Sequence, residues 1–212
     1  MHKPMNETPP DVSTTSPRLL LAGGICGIIG IIVPMIMIMT AVQLSPWFSW
    51  QTNVLSDLGV HDVSLLFNSA LILGGILTIV FSLGLRSLLE KKPINTMAII
   101  SILLGAICLI LIGIFTLSQP LIHTIVAYGY FTLMPIGLIL IAIGTQKTML
   151  RWFSLAIGIA SLLAIYILPS ILTILSIGFG VPELIETTLL EIWVLVVAII
   201  LIRTYRSKKI TM

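Results

Sequence analysis

The chain has 212 residues, of which 58% are hydrophobic and only 9% charged, with a formal net charge of +3. Its mean hydropathy is +1.16. A soluble domain carries about 25% charged residues, so this composition excludes a globular domain that faces water on all sides and places the chain among integral membrane proteins.

Residues 1–17 are polar and rich in Pro, Thr and Ser. They lack the apolar centre of a secretory signal and predict a disordered tail. Arg18 opens the first apolar run, which continues to about Val42. It is long enough to cross a hydrocarbon core of about 30 Å at about 1.5 Å per residue. Gly23, Gly24, Gly27 and Gly30 recur on it at helical spacing, which predicts close approach of neighbouring helices. Pro34 predicts a bend.

Trp47, Phe48 and Trp50 mark a membrane interface. The stretch Asn53 to Asn68 follows, a long polar interruption without Lys or Arg. Ser56, Asp57 and Gly59 predict a turn, and Asp62 is placed to cap the next helix. Further apolar runs cover Ser64–Leu85, Asn95 to about Leu117, Leu121 to about Ile143, Trp152 to about Ile177, and Glu183–Ile202. Gly178-Phe179-Gly180-Val181-Pro182 interrupts the last two. Cys26 and Cys108 lie inside apolar runs, where a thiol packs as a small hydrophobe; no disulfide framework follows and the redox compartment stays open.

Threading the chain through six spans puts every basic residue on one side: Lys3 and Arg18, then Arg86, Lys91 and Lys92, then Lys147 and Arg151, then Arg203, Arg206, Lys208 and Lys209. The other three connections carry no Lys or Arg. Positive charge concentrates on the cytoplasmic side. The fold expectation is therefore an all-α polytopic bundle of six transmembrane helices over residues 18–205, in the cell membrane, with both termini cytoplasmic and a basic tail at 206–212.

That threading brings polar groups from three segments to the outer side. Asp57, His61 and Asp62 come from the polar stretch, His123 from the fourth run, and Glu183 and Glu186 from the sixth. Asn68, Tyr128, Tyr130 and Glu191 lie deeper along their helices. Taken singly, each has a structural explanation: Glu183 and Glu186 suit the first turn of a helix after Pro182, and His123 suits an interface. Taken together they outline a pocket in which Asp57, His123 and Glu183 are catalytic candidates, as base, acid/base group or metal ligand. Asn53, Ser56, His61, Asn68, Tyr128, Glu186 and Glu191 are the ligand-binding candidates. Glu191 stands out because an ionisable group inside a span is costly. Trp193, on the same run, reads as packing. A divalent cation is one way to neutralise such a cluster, although no metal-binding motif specifies one. Phosphate-loop, His-Glu-x-x-His, Gly-x-Ser-x-Gly and Cys-x-x-Cys motifs are missing from the sequence. No aromatic-basic pattern points to nucleic acid.

Asn53-Val54-Leu55-Ser56-Asp57-Leu58-Gly59 with Phe67-Asn68, His123 opening the fourth run, and Pro182-Glu183 with Trp193 on the sixth resemble the prokaryotic membrane family called domain of unknown function 998. The resemblance spans about residues 18–205 and implies a fold but no activity. More remotely, Leu55-Ser56-Asp57-Leu58-Gly59 with Phe67 is similar to the DRAM and Frag-type six-helix proteins, which by analogy implies lipid handling. Alkaline-ceramidase-like hydrolases need a set of zinc-binding histidines. Only His61 and His123 reach the outer side here, which excludes a three-histidine zinc site and leaves a mixed carboxylate and histidine site open.

Three readings follow. One is a lipid-handling or lipid-modifying protein with membrane lipids as partners. The second is a structural or accessory protein whose polar stretch is a rigid cap. The third is a small proton- or cation-coupled transporter using Glu191, against which stands the lack of an inverted repeat. An outer side without Arg or Lys is poorly suited to an anionic headgroup.

Overall fold

A computed structural model describes residues 17–174 and 180–210. The helices are α1 Pro17–Gln43, α2 Ser64–Arg86, α3 Pro93–Ile114, α4 Pro120–Gly144, α5 Thr148–Tyr166, α6 Leu168–Ile174 and α7 Gly180–Ile210, with a 3-10 turn at Leu55–Val60 between α1 and α2. No strand occurs among the described residues. Six of the helices, all but α6, are long and apolar enough to cross a membrane. The chain is a multi-pass helical membrane protein. Residues 1–16 of the expected disordered tail lie outside the described residues, and Pro17 already begins α1.

The helix starts follow from local chemistry. α3 and α4 each open on a proline, whose fixed φ suits the first turn and whose missing N–H costs nothing there. Pro34 and Pro135 lie inside α1 and α4, which continue through them. Beside Pro135, Ser101 Oγ on α3 donates to the Leu133 carbonyl at 2.7 Å, which ties the two helices together where the α4 ladder is interrupted.

The spans form a closed ring in which α1 packs on α2, α2 on α3, α3 on α4, α4 on α5, α5 on α7, and α7 back on α1. Small residues set the spacing. A Cβ on Gly23 would lie 2.7 Å from Gly84 Cα, and one on Gly24 would lie 2.9 Å from the Ala198 carbonyl oxygen. Backbone therefore meets backbone between α1 and both neighbours, as the glycine spacing predicts. The core is centred on Trp193, fully buried. It stands edge-on to Phe81 with ring centres 6.0 Å apart, and its indole N–H donates to Ser154 Oγ at 2.8 Å. That is the packing role its position implied.

Two local expectations need correction. The fifth run is not one helix to Ile177: α5 ends at Tyr166 and the short α6 starts at Leu168. Pro169 has no N–H to continue the ladder and crowds the preceding turn, so the helix breaks ahead of it. Asp62 does not cap α2. The cap position is Val63, with no side-chain bond to the helix, and Asp62 is exposed. The interruption expected at residues 178–182 falls partly outside the described residues; α7 begins at Gly180.

Candidate functional site

The bundle has two unlike ends. Arg18, Arg86, Lys91, Lys92, Lys147, Arg151 and the last turns of α7 gather at one, the basic end. The 3-10 turn, His123 and the first turn of α7 gather at the other, the cap end.

At the cap end, the turn is held by side chains that satisfy its backbone. Asp57 Oδ2 accepts the Val54 N–H at 3.1 Å and the Asn53 amide at 2.9 Å. Glu183 Oε2, from α7, accepts the Leu55 N–H at 2.8 Å across a separation of 128 residues. Both carboxylates sit where the unpaired N–H groups of a helical N-terminus need acceptors. Asn68 Nδ2, from α2, donates to the Gly59 carbonyl at 3.0 Å and fixes the far end of the turn. α7 can come this close because its first residue is Gly180, on which a Cβ would lie 2.7 Å from the Asn53 carbonyl oxygen.

Behind this cap lie two cavities. A vestibule of about 490 Å³ is walled by Ser56, His123, Thr124, Tyr128, Phe131, Tyr166, Ser170 and Glu183, with Pro169 and Pro182. A smaller chamber of about 110 Å³ runs into the bundle. It is mostly apolar, lined by Ile38, Leu71, Pro34 and Met134 among others, with Glu183, Thr187 and Glu191 on its α7 side. Ser56, Ala127, Phe131 and Glu183 belong to both walls, so the two spaces adjoin. Among the described residues, no Lys or Arg lines either one.

The candidates divide accordingly. Ser56, His123, Tyr128 and Glu183 share the vestibule. His123 is buried, and its Nδ1 donates to the Phe115 carbonyl at 2.8 Å, so a neutral ring keeps Nε2 as an acceptor. Asp57 and Asn53 are turned into the 3-10 turn and are absent from both walls. Asn68 clamps the turn. His61 is exposed and packs against Trp47 with ring centres 4.1 Å apart and planes tilted by 48°, and it lines neither cavity. Glu191 lines the inner chamber. Glu186 is fully buried, with neither carboxyl oxygen hydrogen-bonded among the described residues; it and Glu191 both lie within Coulombic range of Tyr130. Among the described residues, no three His, Cys, Asp or Glu side chains are grouped to hold a metal ion.

Tyr166 and Phe131 are wall residues that the sequence reading passed over. Tyr166 is the last residue of α5, and its ring lies over Tyr128 with centres 6.2 Å apart and planes 26° from parallel. A tyrosine three residues ahead of Pro169, on an otherwise apolar run, was the available signal.

No curated protein and no solved structure matches the chain. The family model described as "Protein of unknown function (DUF998)" matches residues 28–200, which include the cap and the whole wall of the vestibule; the chain belongs to that family.

Proposed function

We propose that this protein handles lipids, binding an amphiphile with its headgroup in the vestibule and its chain towards the apolar chamber. The observation that carries this reading is the adjoining pair of cavities, one with a polar wall and one nearly apolar, sharing Ser56, Ala127, Phe131 and Glu183. Concave, largely apolar spaces with a few convergent polar groups are the usual form of a small-molecule site. Glu183, His123, Tyr128 and Ser56 are the groups that meet the headgroup, with Glu183 as base and His123 as acid/base group for any chemistry on it. Asp57, Asn53 and Asn68 act indirectly by holding the turn that carries Ser56. Without Lys or Arg among the described wall residues, the headgroup is not anionic. The lipid direction implied by the DRAM and Frag-type resemblance rests here on the cavities alone.

A second reading has its own support. Asp57 and Glu183 both satisfy backbone N–H groups, as a rigid non-enzymatic cap requires. Native mass spectrometry of the full chain, released from nanodiscs, separates the two. The amphiphile reading expects a retained lipid on the wild type and its loss from Ala127→Trp, which fills the shared wall. A wild type that carries no lipid above the level of Ala127→Trp contradicts it. Elemental analysis of the same sample tests for a divalent cation.

In this reading the basic end faces the cytoplasm and the cap faces outward, in the sense of the positive-inside rule. A cysteine at the exposed Val60, in a chain lacking Cys26 and Cys108, should react with an impermeant thiol reagent on intact cells. Reaction of a cysteine at Lys209 instead would reverse the orientation.

A further inference from the structure

We propose that the vestibule selects an organic cation, so that the amphiphile it takes carries an ammonium headgroup. This deepens the reading above and rests on it. The selection rests on the charge of the wall, its aromatic rings and the protons of three of its groups. Thr132 Oγ1 has one hydrogen and donates it to the Tyr128 carbonyl at 2.6 Å. The short bond between Thr132 Oγ1 and the Tyr166 hydroxyl must then use the tyrosine's proton. The Tyr166 oxygen is left with lone pairs and no hydrogen to give. His123 spends its Nδ1–H on the Phe115 carbonyl, which leaves Nε2 of the neutral ring as an acceptor. Glu183 uses Oε2 on the Leu55 N–H, and Oε1 takes no hydrogen bond among the described residues.

These three wall groups therefore offer acceptors, and the donors that remain among the described wall residues are the neutral hydroxyls of Ser56, Thr124, Tyr128 and Ser170, with no Lys or Arg to meet the charge of a phosphate or carboxylate. Aromatic faces complete the box: Tyr128 and Tyr166 lie nearly parallel, and Phe131 stands on the same wall. A cation over such rings, with a carboxylate beside it, gains from the ring quadrupoles as well as from the charge. A neutral headgroup of equal chain length gains neither.

The test uses the full-length protein in nanodiscs of neutral lipid, with three probes of one chain length: dodecyltrimethylammonium, 1-O-dodecylglycerol and dodecyl phosphate. Binding is measured by titration calorimetry. The proposal expects saturable binding of the ammonium probe about tenfold tighter than the glycerol ether, a difference of about 1.4 kcal/mol, and weakest binding of the phosphate. Tyr166→Phe keeps the ring and most of the affinity, whereas Tyr166→Leu loses about tenfold. Equal or tighter binding of the glycerol ether or the phosphate overturns the cation selectivity and leaves the amphiphile site standing. Unchanged ammonium binding by Tyr166→Leu also overturns it. If none of the three probes saturates, the amphiphile site and its selectivity fall together.

Discussion

The two ends of the bundle use one device with opposite charge. At the basic end, ammonium groups satisfy carbonyls across loops: Lys92 Nζ donates to the Gly144 carbonyl at 2.9 Å and Lys147 Nζ to the Leu88 carbonyl at 3.0 Å. At the cap end, carboxylates satisfy N–H groups, Glu183 at Leu55 and Asp57 at Val54. Each charge complements the exposed pole of the helix it serves. The difference is in what surrounds the device. The basic end is closed by backbone contact, Gly23 against Gly84, and by Asn95, which is fully buried against Gly144. At the cap end α5 stops at Tyr166, and the vestibule opens among α4, α6 and the start of α7. A shared clasp with unequal packing seals one end and leaves a cavity at the other.

The largest effect should come from breaking the seal. Gly84→Leu drives a side chain into α1 backbone, because even a Cβ there would lie 2.8 Å from Gly23 Cα. Overpacking of this kind costs about 1–3 kcal/mol or more. Folded yield and thermal midpoint in detergent should fall sharply, and a midpoint equal to wild type would show that α1 and α2 do not pack as described.

Breaking the clasp at the cap end should cost less. Glu183→Leu leaves the Leu55 N–H without its acceptor, at about 1–3 kcal/mol, and Glu183→Gln, which keeps a carbonyl oxygen, should retain most of the stability. Amide hydrogen exchange at residues 54–60 checks this: it should quicken in the leucine variant and not in the glutamine variant. Equal exchange in all three proteins would mean that Glu183 does not hold the turn.

The smallest effect is a pH dependence confined to the basic end. Partial burial pushes the Glu90 carboxyl up, but the Gln146 N–H, its own backbone N–H, and Lys92 and Lys147 together outweigh this and hold it below the ordinary glutamate value. Because the folded value is depressed, the stabilisation is fully present above the unfolded glutamate value and is lost as pH falls through the folded one. Melting in detergent should therefore show a modest drop on acidification below about pH 4.5, smaller in Glu90→Gln. Identical acid profiles for the two proteins would remove Glu90 from the clasp.

The six spans were legible because apolar length and one-sided Lys and Arg are properties of the chain alone. The site was legible in part. Sequence brought His123 and Glu183 to the outer side, with Tyr128 deeper on its helix, and the three share a wall with Ser56. It did not reveal that Glu183 bonds the backbone at Leu55, since nothing local marks a contact between residues so far apart in the chain. Nor did it show that Glu186, expected on the outer side, is fully buried while Glu191 lines the chamber. α7 is apolar on most sides, so its pattern fixes no face; its rotation is set by contacts such as Gly24 against Ala198. Asp57 looked like a reacting group because carboxylates in turns and in sites share the same neighbours, and only its bonds to Val54 and Asn53 show which it serves here.

The central claim, that an amphiphile sits in the cap-end cavities, is tested most directly by photo-crosslinking. A dodecyl amphiphile with a diazirine next to an ammonium headgroup would be irradiated with the full chain in nanodiscs and the labelled peptides mapped. The account predicts that label concentrates on residues 121–131 and 182–191 and is displaced by excess unlabelled probe. Label spread evenly over the lipid-facing surfaces of α1 and α3, such as Ile32, Ile36, Met97 and Ile100, and undisplaced by excess, would contradict it.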